Sequence, residues 1–345
     1  MIRRFMCLLA FMCALNLSHA QTIPVSAQEE ALAGRRLKST ELAALEAEVA
    51  KQPNDLSART KLLGNYFMRQ YTSAEVRAAR PPQIFWIIQN HPAAPIAGLP
   101  ECSLDPIRDP AAYAQGKQLW LEQTKAQATN LAVLGNAANF FLIHDRDVAE
   151  DLLQQAQKTE PANPDWSDRL GHLYALSGSQ KADPAKALQE FERAQAADTN
   201  ANSRFYRLDE LAKQAFAAAD LNKASLYATE LLTTASQYPK DWNYGNAILA
   251  GNTVLGRIAL RQGQLELAKE YLLKAGHTPG SPQLNSFGPN MSLARDLAEK
   301  GEKDVVVEYF DLCRKFWTGK TETLDKWTAE VKAGKVPNFG ANLAY

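Results

Sequence analysis

Four stretches of the chain repeat one spacing of small and large apolar residues. Ala149, Leu153 and Ala156 lie in "AEDLLQQAQKTEP", and Ala187, Phe191 and Ala194 in "AKALQEFERAQAAD". Ala268, Leu272 and Ala275 follow in "LELAKEYLLKAGHTP", then Val306, Phe310 and Cys313 in "VVVEYFDLCRKFW". Steps of four and then three residues put each trio on one face of a helix. The small members let a neighbouring helix approach, and the large one fills the space between them. Ala, Leu, Glu, Lys and Gln dominate most segments and period-two alternation is nearly absent, so the chain reads as all-α.

Each trio is preceded by another helical stretch. Leu170-Gly171 is followed by Tyr174 and Gly178, Leu255-Gly256 by Gly263, and Leu293-Ala294 by Gly301. A glycine inside a helix costs about 1 kcal/mol relative to alanine, so close packing is the expected reason for it. The later glycine supplies the left-handed turn that ends the leading helix. In these features the chain resembles the tetratricopeptide-repeat family, best in "WSDRLGHLYALSG…AKALQEFERA" and "TVLGRIALRQGQLELAKEYLLKA". The resemblance implies helix–turn–helix units of about 34 residues stacked into a solenoid, with the leading helices lining a concave side. It spans about Asn130 to Trp317 and is thin elsewhere. The insertion "SQKADP" lengthens one turn, with Asp183 as N-cap and Pro184 as first helical residue. The unit of "LDELAKQAF" and "NKASLYATELL" is degenerate, with Ala228 where a large residue is due.

The ends of the chain differ from this middle. Residues 1–20, "MIRRFMCLLAFMCALNLSHA", have a positive start, an apolar stretch from Phe5 to Leu17 and a small-x-small site before Gln21. That is the layout of a signal peptide, which makes the mature protein periplasmic or secreted. Residues 21–125 form an N-terminal helical region, with a partial repeat in "ELAALEAEVAKQPNDLSARTKLLGNYFMRQ". Next come a short apolar helix from Ile84 to Asn90 and a proline-rich excursion, and Asp109-Pro110 restarts a helix. Residues 126–318 carry the tetratricopeptide-like repeats, and 319–345 a capping helix, "ETLDKWTAEVKAGK", with an irregular tail. No later stretch is apolar for long enough to span a bilayer.

Charge narrows the choice of partner. Taking Arg3 and Arg4 from the 38 basic residues leaves 36, against 38 acidic. This balance, with no basic block, argues against nucleic acid or anionic lipid. Cys102 and Cys313 are the cysteines left beyond the leader. An exported protein can join such a pair, whereas the helical position of Cys313 equally suits a small buried thiol.

Catalytic patterns are missing. Gly319-Lys320-Thr321 lacks the earlier glycine of a phosphate loop, since Arg314 stands in its place. There is no His-Glu-x-x-His, Gly-x-Ser-x-Gly or Cys-x-x-Cys, and His91, His144, His172 and His277 have no metal-ligand spacing. No enzyme, cofactor or metal is therefore expected. The Leu-Gly step instead marks candidate binding residues, because in the family the residue after it faces the groove. Those residues are Asn65, Asn136, His172 and Arg257, with Asn139 and Arg261 one turn on. Asn amides suit an extended peptide backbone, and arginines suit a carboxylate. The Lys-plus-Asn set with which some family members clamp a terminal carboxylate is lacking.

The stretch "GHTPGSPQLNSFGPN", Gly276 to Asn290, breaks the repeat between two helices. Three prolines and the apolar Leu284, Phe287 and Met291 mark an ordered loop packed on the helices, not a slack linker. The reading is an exported scaffold or adaptor that binds a protein or peptide. The alternatives are a small-molecule pocket between the groove and the irregular loops, or an enzyme with dispersed residues.

Overall fold

The computed structural model describes residues 25–176 and 182–343. The leader at 1–20 and the turn glycine Gly178 lie outside the described residues. Among the described residues the chain is all-helical, with no strand. It forms two compact units, the first ending at Leu173 and the second beginning at Tyr174.

The first unit runs α1 (Val25–Arg35), α2 (Ser39–Lys51), α3 (Leu56–Arg69), α4 (Ala74–Asn90), two 3-10 turns (Pro95–Gly98 and Pro100–Cys102), α5 (Pro110–Ala126), α6 (Leu131–Phe141), α7 (Arg146–Thr159) and α8 (Pro164–Ala175), the last crossing the division. Capping sets the starts: Asp55, Ser73, Asp109 and Asn130 each accept a hydrogen bond from a first-turn amide. Each such cap contributes about 1 kcal/mol. Helix α1 packs on α3 so closely that a Cβ on Gly64 would stand 2.0 Å from the Ala31 carbonyl oxygen.

Helix α4 differs from the sequence expectation. It begins at Ala74, not Ile84, and continues through Pro81 and Pro82. Interior prolines cost about 3 kcal/mol each in isolation. Burial overrides them here, since Val76, Ile84, Ile87 and Ile88 all lie in the core.

The second unit contains α9 (Pro184–Ala197), α10 (Ala201–Ala217), α11 (Leu221–Gln237), α12 (Tyr244–Arg261), α13 (Leu265–Gly276), the short α14 (Pro282–Phe287), α15 (Ser292–Glu299), α16 (Lys303–Cys313) and α17 (Thr321–Lys332). Asp183 caps α9 by accepting from the Lys186 amide, and Pro184 opens the helix. The left-handed glycines Gly263 and Gly301 end α12 and α15, at φ of 77° and 86°.

The small-large-small trios face inward in both units: none of their residues is more than 1% exposed. Each large member contributes about 1.5–3 kcal/mol by its burial. Ala228 leaves the face of α11 shallow, and α12 packs there through Gly251, whose added Cβ would stand 2.7 Å from Leu232 Cγ and 3.1 Å from the Ala228 carbonyl oxygen. Between α9 and α10 a charge pair is buried, with Arg207 Nη2 donating to Asp198 Oδ2 at 2.8 Å and the two side chains 1% and 7% exposed. At the far end Phe310, Trp317, Trp327 and Phe339 form an aromatic cluster that seats the tail on α16 and α17.

Both cysteines are free, buried thiols, Cys102 in the first unit and Cys313 in the second. Burial pushes both thiols well above the ordinary cysteine range.

Candidate functional site

In the first unit Asn65 on α3 and Asn136 and Asn139 on α6 hold backbone belonging to this same chain. Asn65 is buried on α3, where its Nδ2 donates to the Gly34 carbonyl at 3.1 Å and the Leu37 carbonyl at 3.4 Å, satisfying the end of α1. Among the described residues its Oδ1 has no partner. Asn136, buried on α6, donates from Nδ2 to Pro92 O at 2.9 Å and Ala94 O at 3.0 Å. One turn on, Asn139 Nδ2 donates to Gly98 O at 3.0 Å. The proline-rich excursion thus lies on α6 and reaches α3, with its own Ile96, Ala97, Cys102 and Leu104 buried.

The geometry leaves no room for a side chain at the centre. A Cβ on Gly98 would stand 2.3 Å from Asn136 Oδ1 and 3.3 Å from Asn139 Nδ2. The amide of Asn139 is held from behind, because Arg169 on α8 donates to its Oδ1 at 2.8 Å and to Gly135 O at 2.7 Å. An acceptor already filled by a guanidinium leaves only Nδ2 for the excursion. Burial lowers the Arg169 pKa to about 10, against an upward pull from Asp165, so the guanidinium is charged at neutral pH.

Further along, the excursion is gripped by two more arginines. Arg80 Nη2 donates to Glu101 O at 2.7 Å and Ser103 O at 2.6 Å. The Glu101 carboxylate, 2% exposed, pairs with the Arg35 guanidinium, whose Nε donates at 3.1 Å. The guanidiniums of Arg35 and Arg80 lie 5.4 and 5.8 Å from the centre of the Phe67 ring. His172 on α8 is part-buried and engaged within the chain.

The second unit carries the other two candidates. Arg257 Nε donates to Asp296 Oδ2 at 2.7 Å, and Arg295 Nη2 reaches the other oxygen at 3.1 Å. Arg257 lies 4.5 Å and the exposed Arg261 4.1 Å from the centre of the Phe216 ring. Among the described residues Arg261 has no ion pair or hydrogen bond.

The loop from Gly276 to Asn290 is ordered against the start of α12. Thr278 Oγ1 donates to Gly245 O at 2.7 Å, Ser281 Oγ donates to Asn246 Oδ1 at 2.6 Å, and Asn246 Nδ2 donates to Gln283 Oε1 at 2.9 Å. From the other side the tail residue Asn342 donates to Pro289 O at 2.9 Å. Asn246 meets this loop through the side chains of Ser281 and Gln283, and lies outside the Leu-Gly rule. Arg169 was missed for the same reason, since it precedes its Leu-Gly step instead of following it.

Among the described residues no three His, Cys, Asp or Glu side chains come together as metal ligands could. No helix there is long and apolar enough to cross a membrane. No protein-family model matches the chain, and no curated protein matches it.

Proposed function

We propose that the protein is an exported, non-catalytic scaffold of tetratricopeptide-like build that binds a protein or peptide along the side lined by its leading helices. The observation that carries this reading is the grip on the excursion. Asn136, Asn139 and Arg80 together hold five backbone carbonyls, those of Pro92, Ala94, Gly98, Glu101 and Ser103. Side-chain donors offered to successive carbonyls recognise a backbone irrespective of its side chains.

Helix spacing supports the repeat. The second helices of successive pairs begin at Ala74, Pro110, Arg146 and Pro184, in steps of 36, 36 and 38 residues. Residues 91–109 fall where a leading helix is due, between the helix at Ala74 and the helix at Pro110. The excursion takes the place of one helix, and the face that would have packed on it holds irregular chain instead. The layout of residues 1–20 supports export.

Photo-crosslinking in cells that make the full-length protein tests the reading. A benzoylphenylalanine in place of Tyr206 or Arg261, on the leading helices α10 and α12, is expected to crosslink one discrete partner. The same probe at Leu226 or Lys274, exposed on the second helices α11 and α13, is expected to give none. Crosslinks confined to Leu226 and Lys274, or none at all, would remove this reading.

A further inference from the structure

The two units contain the same three-part arrangement in different states of use. In the first, Arg35 and Arg80 lie against the Phe67 ring and hold one residue of the excursion, Glu101, by its carboxylate and its carbonyl. In the second, Arg257 and Arg261 lie against the Phe216 ring at shorter range. Arg257 is already met by Asp296, whereas Arg261 is exposed and has no acidic partner within the described residues. An aromatic ring holds a guanidinium plane in place, which lowers the entropy lost when a carboxylate binds it.

We propose that Arg261 on the Phe216 ring anchors a carboxylate carried by an extended segment of a partner protein, as Arg35 anchors Glu101 within the chain. The proposal rests on the binding role above and adds the chemistry of the partner: an acidic peptide. Charge around the anchor agrees. Arg257 and Arg295 share Asp296, with Glu299 3.7 Å from Arg295, which leaves one positive charge in excess at Arg261. Lys213 on α10 is engaged by Asp209 at 2.9 Å and Glu210 at 3.4 Å, two acids for one cation, so the positive excess is confined to the Arg257–Arg261 face of α12 and Lys213 does not compete for the acid. The carboxylate could belong to an Asp or Glu side chain or to a chain terminus, and the two sources share this chemistry.

The test selects random peptides on the full-length protein from two libraries, one tethered by its N-terminus with a free terminal carboxylate and one tethered by its C-terminus. Selected sequences are synthesised and their affinities measured by fluorescence anisotropy. Enrichment of Asp and Glu in both libraries assigns a side-chain carboxylate. Enrichment in the free-terminus library alone assigns the terminus. Either supports the proposal if Arg261→Gln weakens binding about tenfold or more and Arg261→Lys restores part of it. The control Arg193→Gln, an exposed arginine on α9, is expected to bind as the parent does. Because Arg261 is exposed, its variants are expected to keep the parental melting curve. Neutral or basic winners, or acidic winners that bind Arg261→Gln undiminished, overturn the carboxylate anchor while leaving the scaffold role standing. A selection that yields no binder overturns both, and photo-crosslinks from Tyr206 would then be absent as well.

Discussion

Asp198→Ala is expected to destabilise the second unit by about 3–5 kcal/mol, because it breaks a buried charge pair by removing one partner. Arg207 is 1% exposed and sits beneath α9 and α10, where its Nη2 donates to Asp198 and its Nη1 to Gln195 Oε1 at 2.9 Å. Removing the carboxylate takes a charged acceptor from a guanidinium that is almost fully desolvated. Urea unfolding followed by circular dichroism reads the loss as a lower midpoint. Replacing both residues together, Asp198→Ala with Arg207→Met, is expected to recover most of it, since a buried pair exchanged for apolar groups of similar volume is often neutral. A single variant within about 1 kcal/mol of the parent would show that the pair is hydrated or easily relaxed.

Gly64→Ala is the second large effect, and it acts through backbone. The added Cβ would meet the Ala31 carbonyl oxygen at 2.0 Å and its carbon at 2.8 Å. Across the same crossing a Cβ on Gly34 would meet the Lys61 carbonyl oxygen at 1.8 Å. A side chain could rotate away from such a contact, whereas a helix backbone must move as a whole. Overpacking typically costs about 1–3 kcal/mol, and a contact with main chain belongs at or above the top of that range. The expected result is that α1 lifts from α3, and Asn65 loses the Gly34 and Leu37 carbonyls with it. Trypsin would then cut faster at Arg35 and Arg36, and the melting temperature would fall. Unchanged cleavage would mean that α1 does not cross α3 at these glycines.

Much of this architecture was legible because it follows from local rules. The inward trios follow from four-and-three spacing, the start of α9 from Asp183 and Pro184, and the ends of α12 and α15 from glycines that take positive φ. Helix α4 was not legible at its start. Pro81 and Pro82 signal a break locally, and only the tertiary burial of Ile84, Ile87 and Ile88 reverses that signal. Helix α1, "VSAQEEALAGR", carries a weak apolar pattern and is held by the glycine crossing, which no spacing rule describes.

The sequence marked residues of the candidate site but not their contacts. The Leu-Gly step picked out Asn136 and Asn139, with the backbone of a partner peptide as the expected ligand. That the carbonyls belong to residues 92–98 of the same chain depends on how the excursion folds back, which is a matter of long-range geometry. The Arg35–Phe67–Arg80–Glu101 cluster gathers residues from four separate elements, so no motif could announce it. Its counterpart at Phe216 becomes recognisable only once the first is seen in three dimensions.

The claim that matters most is that the Asn136 and Asn139 amides on α6 hold the irregular backbone of residues 92–98. Hydrogen–deuterium exchange of the parent and of Asn136→Ala/Asn139→Ala tests it directly at the amides of Ala97, Leu99, Cys102 and Ser103, which donate within the two 3-10 turns. The account predicts slow exchange in the parent. In the double variant it predicts acceleration confined to residues 92–103, with α5 and α7 unaffected. Equal exchange in both proteins across 92–103 would contradict it, since the excursion would then be held by its own apolar residues and not by the helix beneath.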